Sequence, residues 1–558
     1  MKKSWRLLCV LMPVFLLPGN TVEFSFIDIA VASGVTVTNT FGGKDRKDSI
    51  LEATGTGAAI FDYDGDGAND LFIANGATFD PAGPKPPSQL YHNDGKGHFT
   101  DVAAAAGLTR TGWAQAACVG DFDNDGKPDL LVTYYGHNTL YRNLGDGKFL
   151  DVTQQAALPV SGTRWGAGCA FVDYDRDGYV DIFVSNYVDL DTTSAPRGCE
   201  WKGLIVSCGP VGLPKGHNVL YHNNRDGTFT DVSKEAGILA PGGRYGLGVV
   251  AADFDNDGWP DIYVACDQTP SLLYRNKHDG TFEEVGDRAG VAYNADGSLQ
   301  AGMGVAVADY NGNGLLDIAK TNFSGDRPSL YKNEGGAVFE DESQQAGLGR
   351  HHLLGWGIAF LDIDEDGWPD LVMANGHVYP EVDRSPIGEK FRQRTLLYRN
   401  LGNARFADIT DSAGPGFTTL RPSRGLAVGD LDGDGRPEIV IVNMNDRPAI
   451  LKNTSPRRNN AVGITLTGTR SNRSAIGARC LVQAGGRRQM GEVMSGGSYY
   501  SQNSMTLYFG LGSSDRIDRI EVWWPSGGTQ SWHDVTANRT LTITEGSEAI
   551  RETSWTRR

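Results

Sequence analysis

The chain has 558 residues, enough for more than one domain, and its 73 glycines make up about 13 % of it while hydrophobic residues hold 40 %. So large an apolar share excludes a disordered chain, and the glycine excess points to turn-rich β-structure. The formal charge of −17 is unevenly spread: from Arg457 to the end 13 arginines face 8 acids, +5, which leaves −22 for the rest, and nothing in that pattern suggests nucleic-acid binding.

In chain order, the N-terminus carries Lys2, Lys3 and Arg6 ahead of an apolar run from Leu7 to Leu17. Residues 1–20 thus have the outline of a secretory signal or an uncleaved anchor, although Leu17-Pro18-Gly19-Asn20 lacks a clear small-residue cleavage site. The run is short for a bilayer span, and no later stretch could serve as one.

Seven acidic loops follow on one plan, D-x-[DN]-x-[DN]-G-x-x-[DE]. Their oxygen side chains at positions 1, 3, 5 and 9 are Asp62, Asp64, Asp66 and Asp70; Asp121, Asp123, Asp125 and Asp129; Asp173, Asp175, Asp177 and Asp181; Asp253, Asp255, Asp257 and Asp261; Asp309, Asn311, Asn313 and Asp317; Asp362, Asp364, Asp366 and Asp370; Asp430, Asp432, Asp434 and Glu438. Alternate residues of a tight turn point inward together, and six to eight oxygens are what calcium takes; magnesium prefers fewer protein ligands. An EF-hand needs a glutamate at position 12, where these loops have Ile73, Val132, Val184, Val264, Lys320, Met373 and Ile441. The alternative to metal is a set of solvated turns. Up to seven calcium ions would bring the front part from −22 to about −8, so their removal is expected to destabilise it through repulsion. The fifth loop, with two asparagines in place of carboxylates, is expected to bind most weakly.

After each loop comes a short β-branched run such as DLFIANG, then a hairpin signal of the type LYHNDGKGHFTDV, and before each loop another strand such as GLGVVAAD. Four strands per unit, repeated about every 61 residues, mean a β-propeller. The seventh unit breaks off at ILKNTSPRRNN without its last strand, and the missing piece, FIDIAVASGV, stands at residues 26–35. The expected fold is therefore all-β: a seven-bladed propeller over residues 24–455, with 24–35 closing the last blade, then a small β-sandwich-like domain over 456–546 and a tail from 547 to 558.

Cys199 and Cys208 flank one insert and are the expected disulfide of a secreted chain. Cys118, Cys169, Cys266 and Cys480 sit in apolar contexts and are expected as buried small residues.

The D-x-D-x-D-G loops, the L-Y-[RHK]-N hairpins and the AIGAR, GGSYYSQNS, FGLG and VWWPSGG segments together resemble FG-GAP (VCBS-type) repeats followed by an ASPIC/UnbV domain, a family that includes secreted proteins similar to cartilage acidic protein. The resemblance implies a calcium-binding propeller like the integrin α-chain head and supplies no catalytic residues. UnbV-type proteins also accompany enediyne biosynthesis, which leaves a biosynthetic role open.

Five positions before each loop stand Gly57, Ala116, Gly168, Gly248, Gly304, Gly357 and Gly425, small residues that mark the innermost strands. Eight positions before, Trp113, Trp165 and Tyr245 fall in consecutive blades at the channel mouth. These rings either plug the channel or, with the insert 187–217, offer flat faces to a ligand. Long inserts at 76–88, 187–217 and 376–395 open on that same face, where specificity resides in rigid rings. The favoured function is a secreted interaction module for an extracellular protein or glycan. The alternative is a carbohydrate-active or biosynthetic enzyme, for which His217, His377 and Glu381 are scattered candidates.

Overall fold

The computed structural model describes residues 24–349 and 352–556; the expected signal at 1–20 lies outside them. Each repeat folds as a four-stranded antiparallel meander. In the unit after the long insert, Gly246–Ala252 runs into the acidic loop, Asp261–Cys266 leaves it, Leu272–Asn276 carries the L-Y-R-N stretch and Phe282–Glu284 forms the outer edge. The two inner strands are buried along their whole length, and only the outer one alternates. Neighbouring sheets cover both faces, so these strands read as apolar runs and not as the alternation of a half-exposed sheet.

Seven innermost strands contact one another in sequence order: Ala58–Phe61, Trp113–Gly120, Arg164–Val172, Gly246–Ala252, Gly302–Ala308, Gly355–Leu361 and Ser423–Gly429, and the last contacts the first. The ring is closed by chain ends as well as by packing. Phe26–Asp28 pairs antiparallel with Ala449–Asn453, Phe26 opposite Asn453 and Asp28 opposite Leu451. The second and third units are further joined by Arg164 and Trp165 pairing with Gly136 and Tyr135, and by a Cys118–Cys169 disulfide. These two cysteines thus depart from the expectation of separate buried residues. They lie on innermost strands of adjacent sheets, whose Cα atoms come within 6.0 Å across a sequence gap of 51 residues. Cys266 and Cys480 are free and buried.

The C-terminal domain is a sandwich of two four-stranded sheets. One holds Leu507–Gly512, Asn460–Thr467, Arg539–Thr544 and Ile550–Ser554; the other holds Arg487–Glu492, Arg479–Ala484, Arg516–Trp523 and Thr529–Thr536. Val462, Ile464, Val482, Ile520, Val522 and Leu541 are buried between them. The stretch expected as a tail is instead partly structural. Ile550–Ser554 supplies an edge strand, Trp555 is buried against Gly435 of the seventh loop, and the Thr556 N–H donates to the Gly433 carbonyl at 2.9 Å.

The sandwich sits on the acidic-loop side of the ring and sends the loop between its strands 487–492 and 507–512 into the central channel. An innermost strand of a propeller is a sheet edge, with N–H and C=O groups that face the axis unpaired. The loop reaches all seven of them. Ala58 and Ile60 donate to Ser501 Oγ and the Gln502 carbonyl, Ala117 and Val119 to the Tyr500 carbonyl and Gln502 Oε1, and Phe171 to Ser495 Oγ. Gly497 donates to the Val249 carbonyl; Val305, Ile358 and Val428 donate to the Ser498 carbonyl, Ser498 Oγ and Asn503 Oδ1. Crowding at the axis explains the small residues of the inner strands: a Cβ at Gly57 would lie 1.7 Å from the Tyr500 carbonyl oxygen of the loop, and one at Gly168, Gly248 or Gly304 would lie 2.2–2.4 Å from a carbonyl oxygen of the next inner strand. At the far end of the loop Tyr499 and Tyr500 stack at 4.0 Å, and Tyr499 meets Trp356 edge-on at 4.8 Å.

Candidate metal centres and the channel mouth

The seven acidic loops share one internal geometry. The carboxylate at position 1 accepts the N–H of the position-6 glycine at 2.7–3.2 Å in every loop. The acid at position 9 accepts the N–H of position 2 at 2.8–3.3 Å. The position-6 glycines have φ between +82° and +91°, a backbone region that side chains rarely adopt. Glycine is therefore a steric requirement of this turn.

Within a loop the carboxylates converge. One oxygen from each of Asp62, Asp64 and Asp66 lies within 4.8 Å of the others, and the same holds for Asp121, Asp123 and Asp129 and for Asp173, Asp175 and Asp181. Burial first, and neighbouring carboxylates after it, push Asp70 and Asp317 up to about 8, although the Asn93 and Asn333 N–H groups pull the other way. Several oxygens aimed into the loops are buried without a hydrogen bond: Asp173 Oδ1, Asp255 Oδ1, Asp364 Oδ1 and Asp432 Oδ1. An oxygen-only donor set with orphaned carboxylate oxygens fits a hard divalent cation.

Two sets of residues that the loop pattern did not single out complete each centre. The third residue of every L-Y-x-N stretch, or of its ILKN counterpart, is basic: His92, Arg142, His222, Arg275, Lys332, Arg399 and Lys452. Six lean on their own blade's acids, for example Arg275 on Asp255 at 2.8 Å, Arg399 on Asp364 at 2.7 Å and Lys452 on Asp434 at 2.9 Å. Lys332 faces the asparagine loop and turns away, to Glu334 at 2.7 Å and Glu342 at 3.6 Å. The side chain follows the carboxylates, as a charge-compensating group does.

The fourth residue is asparagine throughout. Its side-chain N–H₂ donates at 2.7–2.8 Å to the position-2 carbonyl of the loop in the preceding blade, from Asn143 to Tyr63 around to Asn93 and Leu431. Each acidic loop is thus tied to the next blade. Both signals stood in the sequence as positions unchanged in type across all seven repeats.

The sandwich covers part of this face. Arg479 Nη1 lies 3.0 Å from Asp253, the position-1 ligand candidate of the fourth loop, and the Asp253 N–H donates to the buried Glu492 carboxylate. Ser474 Oγ accepts the Asp121 N–H at 2.9 Å.

The opposite face is closed. Trp165 and Tyr245, expected at the channel mouth either as a plug or as flat faces for a ligand, are 1 % and 3 % exposed. Trp165 meets Tyr187 edge-on at 5.0 Å and Tyr135 at 6.0 Å, and the Tyr245 hydroxyl donates to the Leu213 carbonyl at 2.7 Å. Trp113 is half-buried between Phe41 and Phe79. Trp165 and Tyr245 spend their faces on neighbours because the 187–217 insert folds back over them, whereas Trp113 is packed by segments outside that insert; spacing along the chain encodes neither contact.

In that insert, Cys199 and Cys208 are bonded around a hairpin of Cys199–Trp201 and Leu204–Val206. Trp201 crosses the mouth to pack on His377 at 5.1 Å and Tyr379 at 5.4 Å, and Lys202 reaches Glu389 at 2.6 Å. His377 is buried with its Nε2 3.0 Å from Glu389, and this bond, with those of Lys202 and Ser324, outweighs burial and holds Glu389 at about 2. His217 is exposed, whereas both Glu381 oxygens are buried. The three acid–base candidates thus occupy different surroundings.

A ring of four-stranded sheets with an acidic loop in each repeat, plugged and capped by a β-sandwich, is the class of protein that fold and loops define: an acidic-loop β-propeller. The chain belongs to the FG-GAP-like repeat family, which it matches at residues 62–132, 121–184, 205–264, 253–319 and 390–441, and residues 468–550 match the ASPIC and UnbV family. It is 26 % identical over 513 residues to cartilage acidic protein 1 of Xenopus tropicalis, covering 84 % of this chain and 70 % of the relative. To the human protein of the same name it is 24 % identical over 499 residues, covering 84 % and 69 %. Among solved structures, an Agrocybe aegerita protein that recognises non-reducing terminal N-acetylglucosamine aligns at 17 % identity over 72 % of this chain and 91 % of that one, TM-score 0.36. The Dos1 propeller aligns at 7 % identity over 77 % and 95 %, TM-score 0.36.

Proposed function

We propose that this protein is a secreted, calcium-braced interaction module that binds a protein partner through the outer surface of its insert face. The observation that carries this reading is the disulfide-stapled insert, which leaves Ile205 59 % and Val211 72 % exposed while its inner side is packed over the channel mouth. Rigid apolar side chains held outward on a braced loop suit a protein contact. Two disulfides support an oxidising compartment. The orphaned carboxylate oxygens support calcium at the loops, held by positions 1, 3, 5 and 9. Such an ion would supply the positive charge that lets the buried acids ionise, while the asparagine ties carry the loop's rigidity to the next blade.

The test is a screen of the full chain against an extracellular protein library and a glycan array, in calcium and then in chelator. Saturable protein binding that is lost in an Ile205→Asp, Val211→Asp variant of unchanged melting temperature is the expected result. Binding that survives the double substitution, binding to glycans alone, or no binding at all would overturn it.

A further inference from the structure

The channel mouth holds a second constellation, separate from the acidic loops. Six residues past the position-9 acid the seven blades carry Gly76, Tyr135, Tyr187, Asp267, Phe323, Gly376 and Met444, so one of seven equivalent positions is charged. Asp267 is buried, and its carboxylate accepts a hydrogen bond from the Tyr187 hydroxyl at 2.5 Å. Among the described residues no lysine, arginine or histidine pairs with it. Burial pushes its carboxyl up to about 6 against the Tyr187 bond, and that hydroxyl is its one compensating side-chain contact among the described residues.

Asp267 borders a cavity of about 50 Å³ whose other walls include Tyr187, Tyr379, Phe323 and Met303, and also Trp356, whose ring already stacks on the buried Arg424 guanidinium at 4.2 Å. On the outer side the wall is the stretch 207–210, in which Gly209 is exposed while Ser207, Cys208 and Pro210 are buried. A water needs roughly 10–15 Å³ by this measure, so the cavity has room for a small cationic head and little more. Aromatic faces attract a cation, most strongly where water is excluded, and a buried carboxylate with a single neutral donor gains most from an opposite charge. An anion would meet repulsion there, and a neutral ligand would leave the carboxylate uncompensated.

We propose that this pocket binds an alkylammonium group, supplied either by a lysine side chain of the partner or by a free amine. The proposal rests on the reading of the insert face as the recognition face, and it names the chemistry recognised there.

The experiment is calorimetry on the full chain in calcium, with N-acetyl-lysine methylamide and n-butylammonium as probes and N-acetyl-norleucine methylamide and n-butanol as uncharged counterparts. The ammonium probes bind at least tenfold tighter than their counterparts and compete with each other. Asp267→Asn, which keeps an acceptor for Tyr187, weakens them at least tenfold. Tighter binding of the lysine amide assigns the source to a peptide, and equal or tighter binding of n-butylammonium assigns it to a free amine. Equal binding of charged and neutral probes, no binding of either, or full affinity in a folded Asp267→Asn variant overturns the proposal. Should the variant not fold, the charged-against-neutral comparison on the unaltered chain still decides it. Failure here with partner capture intact removes only the amine pocket; capture lost while amines still bind removes only the proposed partner surface.

Discussion

Replacing Tyr500 by alanine tests whether the second domain holds the propeller together. Tyr500 belongs to the sandwich domain but lies at 2 % exposure inside the ring, stacked on Tyr499 at 4.0 Å. Truncation therefore removes chiefly packing and aromatic contact. Buried aromatic-to-alanine changes cost about 3–5 kcal/mol. If ring and sandwich melt together, unfolding entropy of roughly 2.1 cal/mol/K per residue over about 530 residues gives about 1.1 kcal/mol/K, so the midpoint falls by about 3–5 °C. Scanning calorimetry reads the midpoint, and hydrogen exchange at Ile60, Ala117 and Val305 reads the channel edge that the loop protects. The expected pattern is one transition for the unaltered chain, a lowered midpoint in Tyr500→Ala and faster exchange at those amides. Two transitions, with the propeller's unmoved by the substitution and its inner amides equally slow, would refute the plug as a stabilising element.

Four further outcomes follow from the loops and the sandwich. Asn333→Ala removes donations to the Phe254 and Leu316 carbonyls and the acceptor for the Gly335 N–H, all at 2.8–3.0 Å in a buried setting, and should cost about 3 kcal/mol; denaturant unfolding that moves by less than ~1 kcal/mol would dismiss the inter-blade tie. Chelation should lower the melting temperature, each site contributing about 2.7 kcal/mol at a hundredfold excess of calcium over its Kd. In that titration the loop with Asn311 and Asn313 should be weakest and should tighten in Asn311→Asp, Asn313→Asp; finding it among the tightest contradicts the charge argument. Burial raises the Glu545 carboxyl, but Ser526 and the N–H groups of Ser471, Thr469 and Arg470 outweigh it and hold it at about 2, below its ordinary 4.5. Its stabilisation is therefore present above about 4.5 and lost as pH falls towards 2, so Glu545→Gln should melt lower than the unaltered chain at neutral pH and converge with it in acid.

The loops, the strands around them and the repeat were legible because their causes are local. A turn that needs φ near +90° at one position demands glycine there, and a strand covered on both faces demands an apolar run. The completing strand at residues 26–28 could be read because a repeated unit lacked one piece at one end and showed it at the other. The basic residue and the asparagine of each hairpin were equally visible as unvarying positions, but their roles needed the neighbouring loop in view.

Composition, the glycine turn and the strand period thus determined, from the sequence alone, an all-β chain of acidic-loop repeats with a second β-domain. Tertiary structure decided what lies between distant segments: the Cys118–Cys169 bond, the strand at 550–554, Trp165 and Tyr245 folded under the insert, and the loop 495–503 that hydrogen-bonds all seven inner strands. Local torsion and burial leave a mark every few residues. A contact across tens or hundreds of residues depends on which unpaired edge or exposed ring the folded neighbour leaves, and no spacing in the chain records that.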